Sequence, residues 1–240
     1  MIPLRDANPT RRRPIVTLTL IGLCFAVFGL ELTISSGPGG EAALDAFFRQ
    51  WGAVPSRITA ALGGTADPAS AVAGILGSLF LHAGWAHLLG NMLFLWIFGN
   101  NIEDRLGRGP FLAFYVAGGA VAALAQVWIG PTSEIPLVGA SGAIAATLGA
   151  YLVLYPGARV TTLVFLGFFV QVVQLPALVL LGFWFALQLL DGVASLGATT
   201  AGGGVAFFAH IGGFVAGAIV GALIRTGGGR GPDSALRRRI

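Results

Sequence analysis

Residues 71–102 read AVAGILGSLFLHAGWAHLLGNMLFLWIFGNNI, 32 positions without one Asp, Glu, Lys or Arg. A bilayer core about 30 Å thick is crossed by about 20 residues of helix, so this run is too long for one straight span. Its break is His82-Ala83-Gly84-Trp85. The part before it is expected to be a short helix dipping into the outer interface, and the part after it a span at about Trp85–Asp104. The rest of the chain has the same character. Its 240 residues are 55% hydrophobic and 10% charged, against roughly 25% charged in a soluble domain, and the mean hydropathy is +0.83. A soluble globular domain, a coiled coil and a disordered chain are excluded. The fold class is an all-α polytopic membrane protein of one domain.

Working outward, Ile15–Ile34 is expected to be span 1. It is too long for a signal-peptide core and lacks the usual small-residue cleavage site. Residues 35–70 form a long loop whose middle, Phe47-Phe48-Arg49-Gln50-Trp51-Gly52, is amphipathic and interfacial. Span 3 falls at about Pro110–Ile129, and span 4 starts near Gly139 and ends before Pro156. Residues 160–191 again exceed one span and break at Pro176, which makes 160–173 an interfacial segment and 175–193 span 5. A Gly-, Ala- and Thr-rich flexible loop follows at 195–204, and span 6 at about Val205–Ile224. The expected layout is therefore a cytoplasmic N-terminal segment at 1–14, six transmembrane helices within 15–224, and a cytoplasmic, disordered basic tail at 225–240.

All 14 basic residues are Arg. With a cytoplasmic N-terminus and six spans, only Arg49 and Arg57 fall outside, as the positive-inside rule requires. A separate span at 160–173 would put the C-terminal arginines outside. The same clustering explains the high pI of about 10.2 without nucleic acid as a partner. The absence of Lys excludes a Ser–Lys dyad or a Schiff-base lysine. Cys24, the single cysteine, has no intrachain disulfide partner and no metal-ligand spacing. The short polar N-terminus favours a bacterial plasma membrane over an organelle.

Polar side chains inside a span are costly and mark function by default. His87 and Asn91 share one face of span 2, about 6 Å apart along the axis. His210 lies about five residues into span 6, and Ser141 opens span 4. All four fall in one slab near the outer face. Ser141, Ala145 and Gly149 on span 4, and Ala209, Gly213, Gly217 and Gly221 on span 6, repeat every four residues, and such small-residue faces let two helices approach closely. His210 is placed to take the Ser141 proton. The Ser141 N–H, the Asn91 amide and the His87 ring are placed to hold an oxyanion. Asp191 and Glu31, near span ends, are read as solvated, so His210 has no evident acid partner and a dyad is expected.

These residues resemble the rhomboid family of intramembrane serine proteases over about residues 75–221. The resemblance rests on His82 with His87-x-x-x-Asn91, on Gly99-x-x-x-Glu103-x-x-x-Gly107, on Gly139-x-Ser141-Gly142, and on Ala209-His210-x-x-Gly213-x-x-x-Gly217. It implies a rhomboid-like helical bundle and an endopeptidase with a Ser141–His210 dyad. Oxyanion contacts would come from His87, Asn91 and the Ser141 amide, with His82, Gly139 and Gly142 as neighbours, in a water-filled cavity open to the outer side. Glu103, Gly99, Gly107, Gly213 and Gly217 would be structural. No metal or other cofactor is implied; the partners would be the lipid bilayer and single-span membrane protein substrates. The Trp-Arg pair of the family's first loop has only a loose counterpart in Arg49-Gln50-Trp51.

Other classes fit less well. A channel or transporter more often shows acidic residues in its spans or repeat symmetry. A non-cleaving relative would usually lack the Ser or the His. An intramembrane metalloprotease needs His-Glu-x-x-His, which is absent.

Overall fold

The computed structural model describes residues 1–167, 169–196 and 205–226. Most of the expected loop at 195–204 and nearly all of the basic tail at 225–240 lie outside the described residues. The chain opens with strand β1 (Ile2–Asp6) and continues through α1 (Ile15–Ser36), α2 (Gly40–Trp51), α3 (Pro55–Leu62) and α4 (Pro68–Ser78). Next come α5 (Trp85–Phe94), a π-helical turn (Leu95–Gly99), α6 (Asn100–Leu106), α7 (Arg108–Ile129) and α8 (Ser141–Leu154). Strands β2 (Arg159–Leu166) and β3 (Phe169–Pro176) precede α9 (Ala177–Ser195) and α10 (Phe207–Thr226). Helices α1, α7, α9 and α10 are each long and apolar enough to cross a membrane, in keeping with a multi-pass membrane protein. The break read at His82–Trp85 separates α4 from α5.

Helix α8 is the axis of the bundle. Every residue from Gly142 to Tyr151 is buried, which Ala and Gly permit because neighbouring backbones can press against them. A Cβ at Gly213 would run into the Gly142 carbonyl, and one at Gly217 into the Ala146 carbonyl. The row of α8 that meets α10 is thus Gly142–Ala146–Ala150, with Gly149 against the Phe214 carbonyl. Gly149 belongs to the Ser141–Ala145–Gly149 row read from the sequence, so the contact takes in that row and the one a position further on. Ser141 itself lines a cavity.

The all-α expectation needs correction. Residues 159–176 form an antiparallel hairpin, with Arg159 opposite Pro176 and Leu166 opposite Phe169, and β1 adds to it in the order β1-β2-β3. The reason is local: β-branched Val160, Thr161, Thr162, Val164, Val170, Val172 and Val173 favour extended backbone, and Gly167 turns the chain at φ +63°. The hairpin brings the chain back to where it left, and Ala177 N–H donates to the Ala158 carbonyl at 2.8 Å. Helix α9 therefore begins where α8 ends.

The N-terminal segment is tied into the same end of the bundle. Asp6 accepts hydrogen bonds from Tyr151 at 2.7 Å and Asn101 at 2.8 Å. Burial nevertheless holds its carboxyl above the usual carboxylate range, against the pull of those bonds. The backbone N–H groups of Arg11 and Arg12 donate to Asp104. Helix α1 has no side-chain cap of its own. Its free Val16 and Thr17 N–H groups donate to the Glu103 carboxylate at 3.0 and 2.8 Å, and the Thr17 hydroxyl adds a third bond. An acceptor from another helix thus does the work of an N-cap.

Candidate active site

A cavity of about 930 Å³ is lined by His87 and Asn91 of α5, Ser141 of α8, Trp184 and Gln188 of α9, and His210 of α10. Asp45, Phe48 and Arg49 of the first-loop helix α2 also line it. Arg49 pairs with Asp45 at 2.7 Å and donates to the Glu134 carbonyl at 3.2 Å. The Asp45 hydrogen bond holds the guanidinium above its ordinary range. Arg57 donates to the Gln50 and Arg49 carbonyls, which fastens α3 to α2.

Ser141 is the first residue of α8, whose earliest helical bond runs from Ile144 N–H to the Ala140 carbonyl. The Ser141 N–H precedes that bond and has no intrahelical acceptor. The turn before it depends on Gly139, which sits at φ +124° and donates its N–H to the Ser78 carbonyl at 2.9 Å. A Cβ at Gly139 would stand 2.6 Å from His87 Nε2 and 3.5 Å from Ser141 Oγ, so ring and hydroxyl flank one small space. A Cβ at Gly142 would meet Ala122 of α7 at 2.6 Å, which keeps the start of α8 tight against its neighbour.

The structure brings Ser141 and His210 together, with Oγ and Nε2 2.7 Å apart. The other ring nitrogen, Nδ1, lies 2.6 Å from Gln188 Oε1. The Trp184 ring, one turn earlier on α9, lies 6.0 Å from the His210 ring. Asn91 lines the cavity and is buried, and its side-chain nitrogen finds no partner among the described residues, so a donor is left unused at the cavity wall. His82 stacks edge-on against His87 at 5.3 Å and donates from Nδ1 to the Phe80 carbonyl at 3.0 Å.

Glu31 corrects the expectation of a solvated acid. It is 2% exposed and accepts the His82 N–H at 3.1 Å, a contact across 51 positions that no local pattern announces. It serves the His82 backbone rather than His210, while Asp191 is exposed. Glu103 caps α1, away from the cavity. Gly107, at φ +83°, makes the turn between α6 and α7, and Gly99 lets Thr17 approach. Among the described residues no group of three or more His, Cys, Asp and Glu side chains is gathered to hold a metal ion.

Sequence reasoning missed Trp184 and Gln188. The signal was there: Gln188 is a polar residue near the end of the otherwise apolar stretch Ala177–Leu190, and a polar side chain inside a span marks function.

A family model described as the Rhomboid domain matches residues 69–227. "Rhomboid protein 1, mitochondrial" of Saccharomyces cerevisiae is 35% identical over 95 residues, covering 38% of this chain and 28% of that protein. "Rhomboid protease GluP" of Bacillus subtilis is 42% identical over 78 residues, 32% of this chain and 15% of that protein. "Putative rhomboid protease YdcA" of the same organism is 35% identical over 78 residues, 32% of this chain and 39% of that protein. The match thus spans well under half the length of each of these relatives.

Proposed function

The chain belongs to the rhomboid family, and on that premise we propose that it is an intramembrane serine endopeptidase cutting membrane-spanning segments near the external face. Six helices cross the membrane in this reading, α5 to α6 and the short α8 among them, with both termini cytoplasmic. The single observation that carries the reading is the 2.7 Å contact between Ser141 Oγ and His210 Nε2, in a cavity that His87 and Asn91 also line.

A serine hydroxyl becomes a useful nucleophile when a base takes its proton as the bond to carbon forms. His210 Nε2 accepts that proton while Ser141 Oγ adds to the scissile carbonyl. The carbonyl oxygen becomes an oxyanion held by the Ser141 N–H, the Asn91 amide and the His87 ring. The C–N bond then breaks, and the proton on Nε2 leaves with the new amine. Water in the cavity repeats the sequence on the acyl-enzyme, giving up a proton to Nε2, and returns free Ser141 and a carboxylate product.

A serine-reactive fluorophosphonate and a panel of single-span reporter proteins test this reading on the purified chain in lipid. Labelling and cleavage are expected, and both vanish in Ser141→Ala and in His210→Ala. Reporter cleavage that persists in well-folded Ser141→Ala overturns the mechanism. Absence of both labelling and cleavage in the unaltered chain makes it a non-cleaving family member.

A further inference from the structure

The serine-protease reading leaves His210 Nδ1 without an assigned partner, because the two acids considered lie elsewhere: Glu31 is engaged by His82 and Asp191 is exposed. The nitrogen is nevertheless occupied. Gln188 Oε1 stands 2.6 Å from it, on α9, while Ser141 and His210 come from α8 and α10. Three helices therefore converge on one imidazole.

A carboxamide oxygen can only accept a hydrogen bond. Facing Nδ1, it requires that nitrogen to carry the proton, which leaves Nε2 with its lone pair toward Ser141 Oγ at 2.7 Å. That is the tautomer a general base needs. In the other tautomer Nε2–H would point at the serine oxygen, and no base would be available. Resting on the protease reading, we infer that Gln188 is a positioning residue: it fixes the tautomer and orientation of His210, making the site a Ser–His–Gln arrangement.

An amide suits the place better than an acid. An ionised carboxylate among these helices would have to be desolvated, whereas a neutral amide orients the ring without adding a charge. Trp184, one turn away on the same helix with its ring 6.0 Å from the imidazole, limits tilting of the ring. The titratable and charged groups around His210 are few. His87 lines the cavity from α5, and Asp45 and Arg49 line it from α2. Helix α9 carries exposed Asp191 three residues beyond Gln188. The neighbouring polar side chain of α7, Gln126, is neutral and accepts the Ala209 N–H.

The test is steady-state cleavage of a single-span reporter by the full chain in lipid, with a pH profile and a fluorophosphonate labelling rate for each variant. Gln188→Leu is expected to lose about 10²-fold in kcat, a large part of what a well-placed base contributes, with KM nearly unchanged. Gln188→Glu restores most of that activity and moves the acidic limb of the kcat profile to higher pH, because a carboxylate beside Nδ1 favours the imidazolium. A residue that merely packs would be served by Leu and would need no acceptor, so loss of kcat in Gln188→Leu with rescue in Gln188→Glu marks an acceptor at Nδ1. Gln188→Leu with unaltered kcat overturns the inference while the protease reading stands. An inert unaltered chain overturns both. If Gln188→Leu does not fold, Gln188→Met, of nearly the same shape and without the amide acceptor, decides: a kcat lowered about 10²-fold supports the inference, and an unaltered kcat ends it.

Discussion

At Gly139 a hydrogen atom stands where any other residue would put a Cβ 2.6 Å from His87 Nε2. The space it leaves is where we place the oxyanion, so Gly139→Ala is expected to act twice. It strains a backbone held at φ +124° and fills the pocket. Activity should fall by more than about 10²-fold, the usual loss for one oxyanion donor, in a protein that still melts cooperatively. Asn91→Ala removes one donor of three and should lose about 10²-fold in kcat, less than Ser141→Ala. If Asn91→Ala is as inactive as Ser141→Ala while folded, Asn91 does more than hold an oxyanion. Ser141 and His210 act as a unit, so the double variant should be no slower than either single one.

Between elements, the distance from α8 to α10 sets the distance from Ser141 to His210. Two glycines control it: Gly213 over the Gly142 carbonyl and Gly217 over that of Ala146. A single methyl at Gly217 forces the helices apart. Gly217→Ala should lower stability by about 1–3 kcal/mol, as overpacking does, and should lengthen the serine–histidine contact. Gly182 on α9 is the control, since a Cβ there meets nothing within 4 Å. Gly182→Ala should leave the melting temperature unchanged or raise it, by up to about 1 kcal/mol of helix propensity. Thermal unfolding in detergent measures both. Equal responses would show that close backbone approach is not what holds α8 to α10.

At the scale of the molecule, α8 has 14 residues, about 21 Å of helix, and is enclosed by the longer α7, α9 and α10. Its first turn meets α7 at Ala122, well before that helix ends at Ile129, which is why Ser141 opens into a cavity rather than onto a surface. A helix laid against this cavity keeps its carbonyls in internal hydrogen bonds and offers nothing to attack. It must unwind first, at several kcal/mol for each backbone group unsatisfied in lipid. Reporters with Gly or Pro near the outer end of the span should be cut faster than stiff Leu-rich ones, just after a small residue such as Ala, Gly or Ser. Moving the Gly or Pro to the middle of the span should slow cutting. Equal rates across the series would show that helix stability is not what the protein reads.

Membrane character is legible from composition alone, because a chain with 10% charged residues cannot build a soluble surface. The break at His82–Trp85 and the starts of α1, α7, α8 and α10, to within a few residues, are legible there too, since apolar length and helix-breaking residues are local signals. Ser141, His210, His87 and Asn91 were legible as candidates because a polar side chain in a span stands out against its neighbours. Other features were decided by the tertiary structure. The hairpin at 159–176 competes with an apolar pattern that looks the same for a strand and an interfacial segment, and pairing with β1 across the whole chain settles it. Glu31 looks solvated near a helix end until His82, 51 positions away, covers it. Gln188 is an ordinary amide in the sequence. Only the convergence of α8, α9 and α10 puts its oxygen 2.6 Å from His210 Nδ1, because a hydrogen bond depends on ångström-scale placement of groups that the chain separates by a helix and a loop.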